Sequence, residues 1–335
     1  MVRKINLWLI ILLFFSSCDQ LMIPDDPKDE PIDIFNQLWT DVNDRYSFFD
    51  HKEIDWQEIG TTYRAKIRND MGTKDLFDVL ANMLFELRDG HVNLSTWFDR
   101  SRNWEWYQDF PNNYDQNIID ENYLKRDFWI SGPLHHQFID DVLYVNYRSF
   151  SQTITEASLQ VVLERARQGR GIIIDVRNNG GGSLSNAYTL ASGFADSTVV
   201  VARQRIKNGP GINDFSSWED IKVTEGESVY KGPVVVLINR RSYSATTFFA
   251  QMMKELPRAL IVGDQTGGGG GIPVSGELSN GWTYRFSTTQ STDLDGRQTE
   301  DGVLPDVRID LNPVSLENGE DNIISTAVTL IKNIN

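Results

Sequence analysis

Gly171-Ile172-Ile173-Ile174-Asp175-Val176-Arg177-Asn178-Asn179-Gly180-Gly181-Gly182 sets the frame for the chain. The unbroken apolar run reads as a strand buried on both faces. The glycines then turn the chain into a helix over 184–194. The same order of signals recurs, with a buried strand over 233–238, a helix over 246–255 and a strand over 259–262. Upstream, residues 138–145 flank Asp140-Asp141 as a β-hairpin, and 155–168 have helical spacing. A strand over 199–202, a hairpin turn at Asn280-Gly281 and a helix over 322–333 complete the pattern. Strands alternating with helices predict a layered α/β core.

The preceding part differs. Ile34, Phe35, Leu38, Trp39, Val42 and Tyr46 recur at helical spacing, a second helix is expected over 56–69, and a third over 74–88. The third should stop at Asp89-Gly90 with glycine in its usual C-terminal role. Residues 31–95 are therefore expected to be a small helical subdomain, and 96–335 the main domain. The stretch 96–127 holds Trp97, Phe98, Trp104, Trp106 and Tyr107 without a clear period. Such aromatics serve either as a ligand platform or as pins that hold a long loop to the body.

The 335 residues carry 47 acidic and 32 basic side chains, a formal charge of -15, one cysteine and four histidines. A surface this acidic excludes a nucleic-acid partner, because phosphates need a basic one. One cysteine excludes an internal disulfide framework. Four dispersed histidines without HxxE or HExxH spacing predict no metal centre, and no cofactor is expected. Arg3 and Lys4, the apolar stretch 5–15 and Ser16-Ser17-Cys18 describe a lipoprotein signal peptide over 1–17. Phe15-Ser16-Ser17-Cys18 resembles a lipobox, so Cys18 is expected to be acylated. The Asp-, Glu-, Lys- and Pro-rich stretch over 18–30 would then be a flexible linker. These signals place the protein in a bacterial cell envelope, anchored to the membrane and facing periplasm or cell surface.

Three features could carry chemistry. Glycines 180–182 free backbone N–H groups at a helix start, which suits a phosphate cradle, an oxyanion hole or simply a tight turn. Gly182-Ser183-Leu184 is not the Walker A continuation. Ser244, between a strand end and a helix start, has the placement of either a nucleophile or an N-cap. His91 directly follows the third helix and could be a base or a satisfied structural residue. An acidic turn over 299–306 could orient a histidine.

The segments IIIDVRNNGGGSL (172–184), VVVLINRRSYSATT (234–247), ALIVGDQTGGG (259–269) and TEDGVLPD (299–306) follow one another as in the S41 serine peptidases, the C-terminal processing and tricorn-core group. EIDWQEI (53–59) and LFELRDGHVNL (84–94) look like that group's tricorn-type N-terminal region. The resemblance covers most of residues 35–310. It implies a ClpP/crotonase-like core, Ser244 as nucleophile, and oxyanion donors on the amides of Ala245 and of Gly181 or Gly182. Where the processing branch has a lysine base, this chain has Gly269, so the resemblance implies the tricorn alternative, His91. That branch also bridges the histidine to a glutamate through the preceding serine. Here Gly90 stands in that place. Glu300 best matches the glutamate, and Asp89 is a second candidate. Residues 95–137 are too few for the PDZ domain many processing proteases carry. A peptide or protein substrate follows from the resemblance. A peptide-binding lipoprotein without activity and a crotonase-like acyl-CoA enzyme are the rival readings.

Overall fold

The computed structural model describes residues 29–105 and 109–334. The expected signal peptide, Cys18 and most of the expected linker, together with Trp106 and Tyr107, lie outside the described residues. The central feature is a seven-stranded mixed sheet. Its strands are β2 (Trp129–Ser131), β3 (Leu134–Ile139), β4 (Val142–Asn146), β5 (Gly171–Asp175), β8 (Val234–Ile238), β9 (Ala259–Gly263) and β13 (Val307–Arg308). The spatial order is β13-β9-β8-β5-β4-β3-β2. Neighbours from β13 to β4 run parallel, and β3 and β2 continue antiparallel.

Side chains that alternate along a strand explain why the inner strands are apolar throughout. Leu143, Val145, Ile172, Ile174, Val234, Val236 and Ile238 pack on one face. That face is covered by α4 (Glu156–Ala166), α5 (Leu184–Ser192) and α6 (Ala245–Lys254). The intervening Val142, Tyr144, Ile173, Val235 and Leu237 pack on the other face. There they meet Ile323, Ile324, Ala327 and Ile331 of α7 (Asn322–Asn333).

The N-terminal helices α1 (Pro31–Arg45), α2 (Trp56–Arg64) and α3 (Thr73–Phe85) bury their apolar faces in a separate cluster. That cluster also takes in Leu278, Trp282, Tyr284 and Phe286. These belong to or flank a hairpin of β10 (Pro273–Glu277) and β11 (Thr283–Ser287), to which β1 (Asn93–Ser95) adds an antiparallel edge. The helical unit is thus closed by strands from the far end of the chain. A third sheet, β12 (Thr289–Thr292), β6 (Val199–Ile206) and β7 (Glu219–Val223), continues directly from β11.

Two local expectations change. The helix α3 ends at Phe85, and the left-handed residue after it is Arg88 (φ 49°), so Gly90 is not its C-terminal glycine. The strand β3 starts at Leu134, ahead of the expected 138–145 hairpin, so it includes His135 and His136, and His136 is buried with Nδ1 3.0 Å from the Leu134 carbonyl. In the 96–127 stretch, the Arg240 guanidinium sits 3.8 Å from the Phe110 ring centroid, and the Asn112 carbonyl accepts from Asn239. These contacts pin that loop across the end of β8.

Candidate active site

Parallel strands deliver their C-terminal ends to one edge of the sheet, and ligands in such sheets gather there. The glycine loop leaves β5 at this edge, and Ser244 follows β8. Ser244 occupies the N-cap position of α6, but its side chain makes no capping hydrogen bond. Its backbone is held at φ 59°, ψ -121°, a costly conformation for a residue with a Cβ. The Ser244 N–H donates to the Gly268 carbonyl at 2.9 Å, and the Phe248 N–H to the Ser244 carbonyl at 3.1 Å, which fix that turn. The hydroxyl instead reaches His91, with Oγ 2.8 Å from Nε2.

His91 comes to this point because β1, two residues on, pairs with β11. Its backbone N–H donates to Asp89 Oδ1 at 2.8 Å, and the Tyr46 hydroxyl donates to Asp89 Oδ2 at 3.2 Å. Asp89 therefore fixes the main chain at His91 rather than the ring. Burial opposes the Asp89 charge, but Lys52, His91 and these donors outweigh it and hold the carboxyl below its ordinary value. Burial pushes His91 down to about 4; Arg285 and Lys52 act in the same direction, and Asp89 opposes them. A ring so placed is neutral near pH 7, with Nε2 available to accept the Ser244 proton. Nδ1 then carries hydrogen and faces Ser287 Oγ at 3.4 Å.

Glu300, expected to orient the base, bonds elsewhere. Its Oε1 accepts from Lys52 Nζ at 2.6 Å and its Oε2 from the Gly270 N–H at 3.0 Å. Burial pushes Glu300 up to about 7, against the pull of Lys52. The group on the imidazole's far nitrogen is a serine from β11. The alternation of apolar Tyr284 and Phe286 with Arg285 and Ser287 marks a strand with one polar face, but nothing local tells which residue that face meets.

The glycine loop lies against the serine. A Cβ on Gly181 (φ +94°) would stand 2.6 Å from the Tyr243 carbonyl, 2.8 Å from Ser244 Cβ and 3.0 Å from the Ala245 nitrogen. The Gly181 N–H is engaged, donating to Asn179 Oδ1 at 3.0 Å. Among the described residues, the N–H groups of Gly182 and Ala245 have no such partner. The Ala245 N–H is the first of α6, where helix amides point outward. At Gly269 (φ +75°), a Cβ would stand 2.5 Å from the Tyr243 ring, which leaves no place for a lysine. The serine, the histidine and the loop open onto a cleft of about 430 Å³, also lined by Asn93, Arg100 and Arg285. Among the described residues there is no cluster of three or more His, Cys, Asp or Glu side chains suited to a metal ion.

A profile of peptidase family S41 matches residues 141–309, and one of the tricorn protease C1 domain matches residues 27–85. The solved structure of a candidate peptidase from Parabacteroides merdae is 37% identical, with a TM-score of 0.86, over 91% of this chain and 97% of that one. The chloroplastic C-terminal processing peptidase of Tetradesmus obliquus is 33% identical over 183 residues, 52% of this chain but 37% of that relative's length. Mature CPAF superposes with a TM-score of 0.71 at 13% identity, over 91% of this chain and 98% of that one, a likeness of fold.

Proposed function

The chain belongs to peptidase family S41, and on that premise we propose that it is a serine peptidase in which Ser244 is the nucleophile and His91 its base. The observation that carries the reading is the 2.8 Å contact between Ser244 Oγ and the neutral His91 Nε2. His91 takes the hydroxyl proton as Oγ attacks the scissile carbonyl carbon. The carbonyl oxygen becomes an oxyanion received by the Gly182 and Ala245 amides. The C–N bond then breaks, and His91 gives its proton to the departing amine. Water repeats the sequence to release the acyl group. Ser287 Oγ, 3.4 Å from Nδ1, can accept from the Nδ1–H tautomer that leaves Nε2 free.

A binding role alone gives no reason for the strained backbone at Ser244 or for an uncharged base beside its hydroxyl. The basic, apolar and small-residue stretch before Cys18 supports export and acylation, hence work on peptides or proteins of the cell envelope. Mass spectrometry of the protein recovered from membranes checks the Cys18 modification. A fluorophosphonate probe tests the site: covalent labelling is expected at Ser244 and absent in Ser244→Ala. A wild-type protein left unlabelled, while a standard serine hydrolase reacts, overturns the reading.

A further inference from the structure

A nearly buried cation, Lys52, has no part in the chemistry above. It belongs to the loop that follows α1, and that loop is fastened to the strands beside the site. The Ser47 N–H donates to the Ser287 carbonyl at 3.1 Å, and its hydroxyl to the Thr289 carbonyl at 2.9 Å. Further along the loop, consecutive residues meet consecutive acids. His51 Nε2 lies 2.9 Å from Asp301 Oδ1, and Lys52 Nζ 2.6 Å from Glu300 Oε1. The Lys52 side chain is 12% exposed, and lysine is seldom buried so far without a partner to hold it.

The ammonium joins two loops. Nζ also donates to the Arg88 carbonyl at 3.0 Å, and the Arg88 guanidinium returns a bond to the Lys52 carbonyl. Arg88 directly precedes Asp89, which holds the His91 N–H. On the other side, Glu300 Oε2 accepts from the Gly270 N–H at 3.0 Å. Two residues earlier, the Gly268 carbonyl accepts from the Ser244 N–H at 2.9 Å and from the Thr247 hydroxyl at 2.7 Å. A side chain on Gly268 would run into the Glu300 carbonyl, so the glycine run lies close against the Glu300 turn. Lys52 and Glu300 thus connect the main chain at His91 to the main chain at Ser244 without passing through the cleft.

Charge is the second link. Around His91 stand Asp89, Lys52 and the Tyr243 ring, with Arg285 on the cleft side. Asp89, which also holds the Tyr46 hydroxyl, favours a proton on the imidazole; Lys52 and Arg285 oppose it. Lys52 itself faces Glu300, Asp89 and Arg88. We propose that Lys52 is a positioning residue for the peptidase site: its ammonium sets the His91 loop against the Ser244 turn, and its charge offsets that of Asp89 at the imidazole. The inference rests on the peptidase reading, in which Ser244 and His91 do the chemistry.

Lys52→Met tests both links, and Lys52→Arg is the rescue. Glu300 is raised to about 7, so kinetics above that pH have the Lys52–Glu300 pair ionised. There Lys52→Met is expected to lower kcat by about ten- to a hundredfold, with KM within about threefold of wild type. The acid limb of kcat/KM is expected to move up by about one pH unit, because Asp89 then acts on the ring with less opposition. Lys52→Arg recovers part of kcat and returns the limb. A merely structural role would change the amount of folded enzyme and leave the limb in place. Lys52→Gln keeps a donor without the charge and serves if the methionine variant does not fold; it is expected to move the limb with a smaller loss of kcat. A nitrogen NMR titration of the His91 ring in Ser244→Ala, assigned by its loss in His91→Gln, gives the same information without turnover. Adding Lys52→Met or Lys52→Gln to Ser244→Ala is expected to raise the His91 midpoint. An unmoved limb and an unmoved His91 titration in a folded variant overturn the inference. A raised midpoint with no hydrolysis by wild type keeps the role of Lys52 and removes the peptidase reading.

Discussion

His91 Nε2 and Ser244 Oγ lie 2.8 Å apart although 153 residues separate them in the chain. Two different mechanisms bring them there. Ser244 is placed by the end of a buried parallel strand and the first turn of α6. His91 is placed by an edge strand that pairs with β11 after the chain has crossed the main sheet. The arrangement yields expectations that can be measured one at a time.

The first concerns pH. The His91 pKa is depressed to about 4 from an ordinary 6.5. The acid limb of kcat/KM for a neutral peptide is expected near pH 4, with a plateau from about pH 5 to neutrality. The sign for stability is also set. Between the two values the unfolded chain binds more protons, so the His91 contribution is present above 6.5 and is lost as pH falls toward 4. Glu300, raised to about 7, contributes in the opposite sense, and its share is lost as pH rises through 7. The two oppose each other in a melting curve, which makes kcat/KM the cleaner readout. A limb near 6.5 would contradict the buried neutral base.

The second concerns Ser287. Without its hydroxyl the His91 ring loses the group that can accept from Nδ1–H when Nε2 is free. Ser287→Ala is expected to lower kcat by about ten- to a hundredfold with KM nearly unchanged, and Ser287→Thr to recover part of it. Steady-state kinetics with one fluorogenic peptide decide this. An unchanged kcat would show that packing and the fixed main chain suffice to hold the ring.

The third concerns the loop under Ser244. Gly181→Ala puts a methyl group against the Tyr243 carbonyl and Ser244 Cβ, neither of which is a flexible side-chain end. The loop must move, carrying the Gly182 amide with it. A fall in kcat of about 10²–10³-fold is expected, the range for loss of one oxyanion donor. The far-ultraviolet circular dichroism should stay that of the wild type.

The fourth concerns stability. Arg177 is fully buried, with Nη2 2.6 Å from Asp175 Oδ2 and Nη1 2.8 Å from Asp321 Oδ2. It ties the end of β5 to the start of α7. Arg177→Met leaves two buried carboxylates uncompensated and is expected to cost about 3–5 kcal/mol in denaturant unfolding. A loss under about 1 kcal/mol would mean that water reaches these groups.

The core strands were legible because burial on both faces leaves only apolar residues along them, as in residues 171–174 and 234–238. The loop glycines and Ser244 were legible because they sit directly after those strands. Ser287, Arg285 and Lys52 were not. Each acts through a contact between distant parts of the chain: Ser287 with His91 at a separation of 196, Lys52 with Glu300 at 248. Arg285 arrives through strand pairing opposite Asn93. Periodicity reports which face of an element is buried, not what the other face meets. For the same reason Glu300 was read as the partner of the histidine. Its carboxylate is turned toward Lys52, whose position depends on the packing of the loop after α1.

The most direct test is hydrolysis of a peptide library by purified wild-type, Ser244→Ala and His91→Ala protein under identical conditions. The account predicts cleavage by wild type and a loss of at least about 10³-fold in both variants, each folded like the parent. Cleavage at wild-type rates by either variant would contradict it.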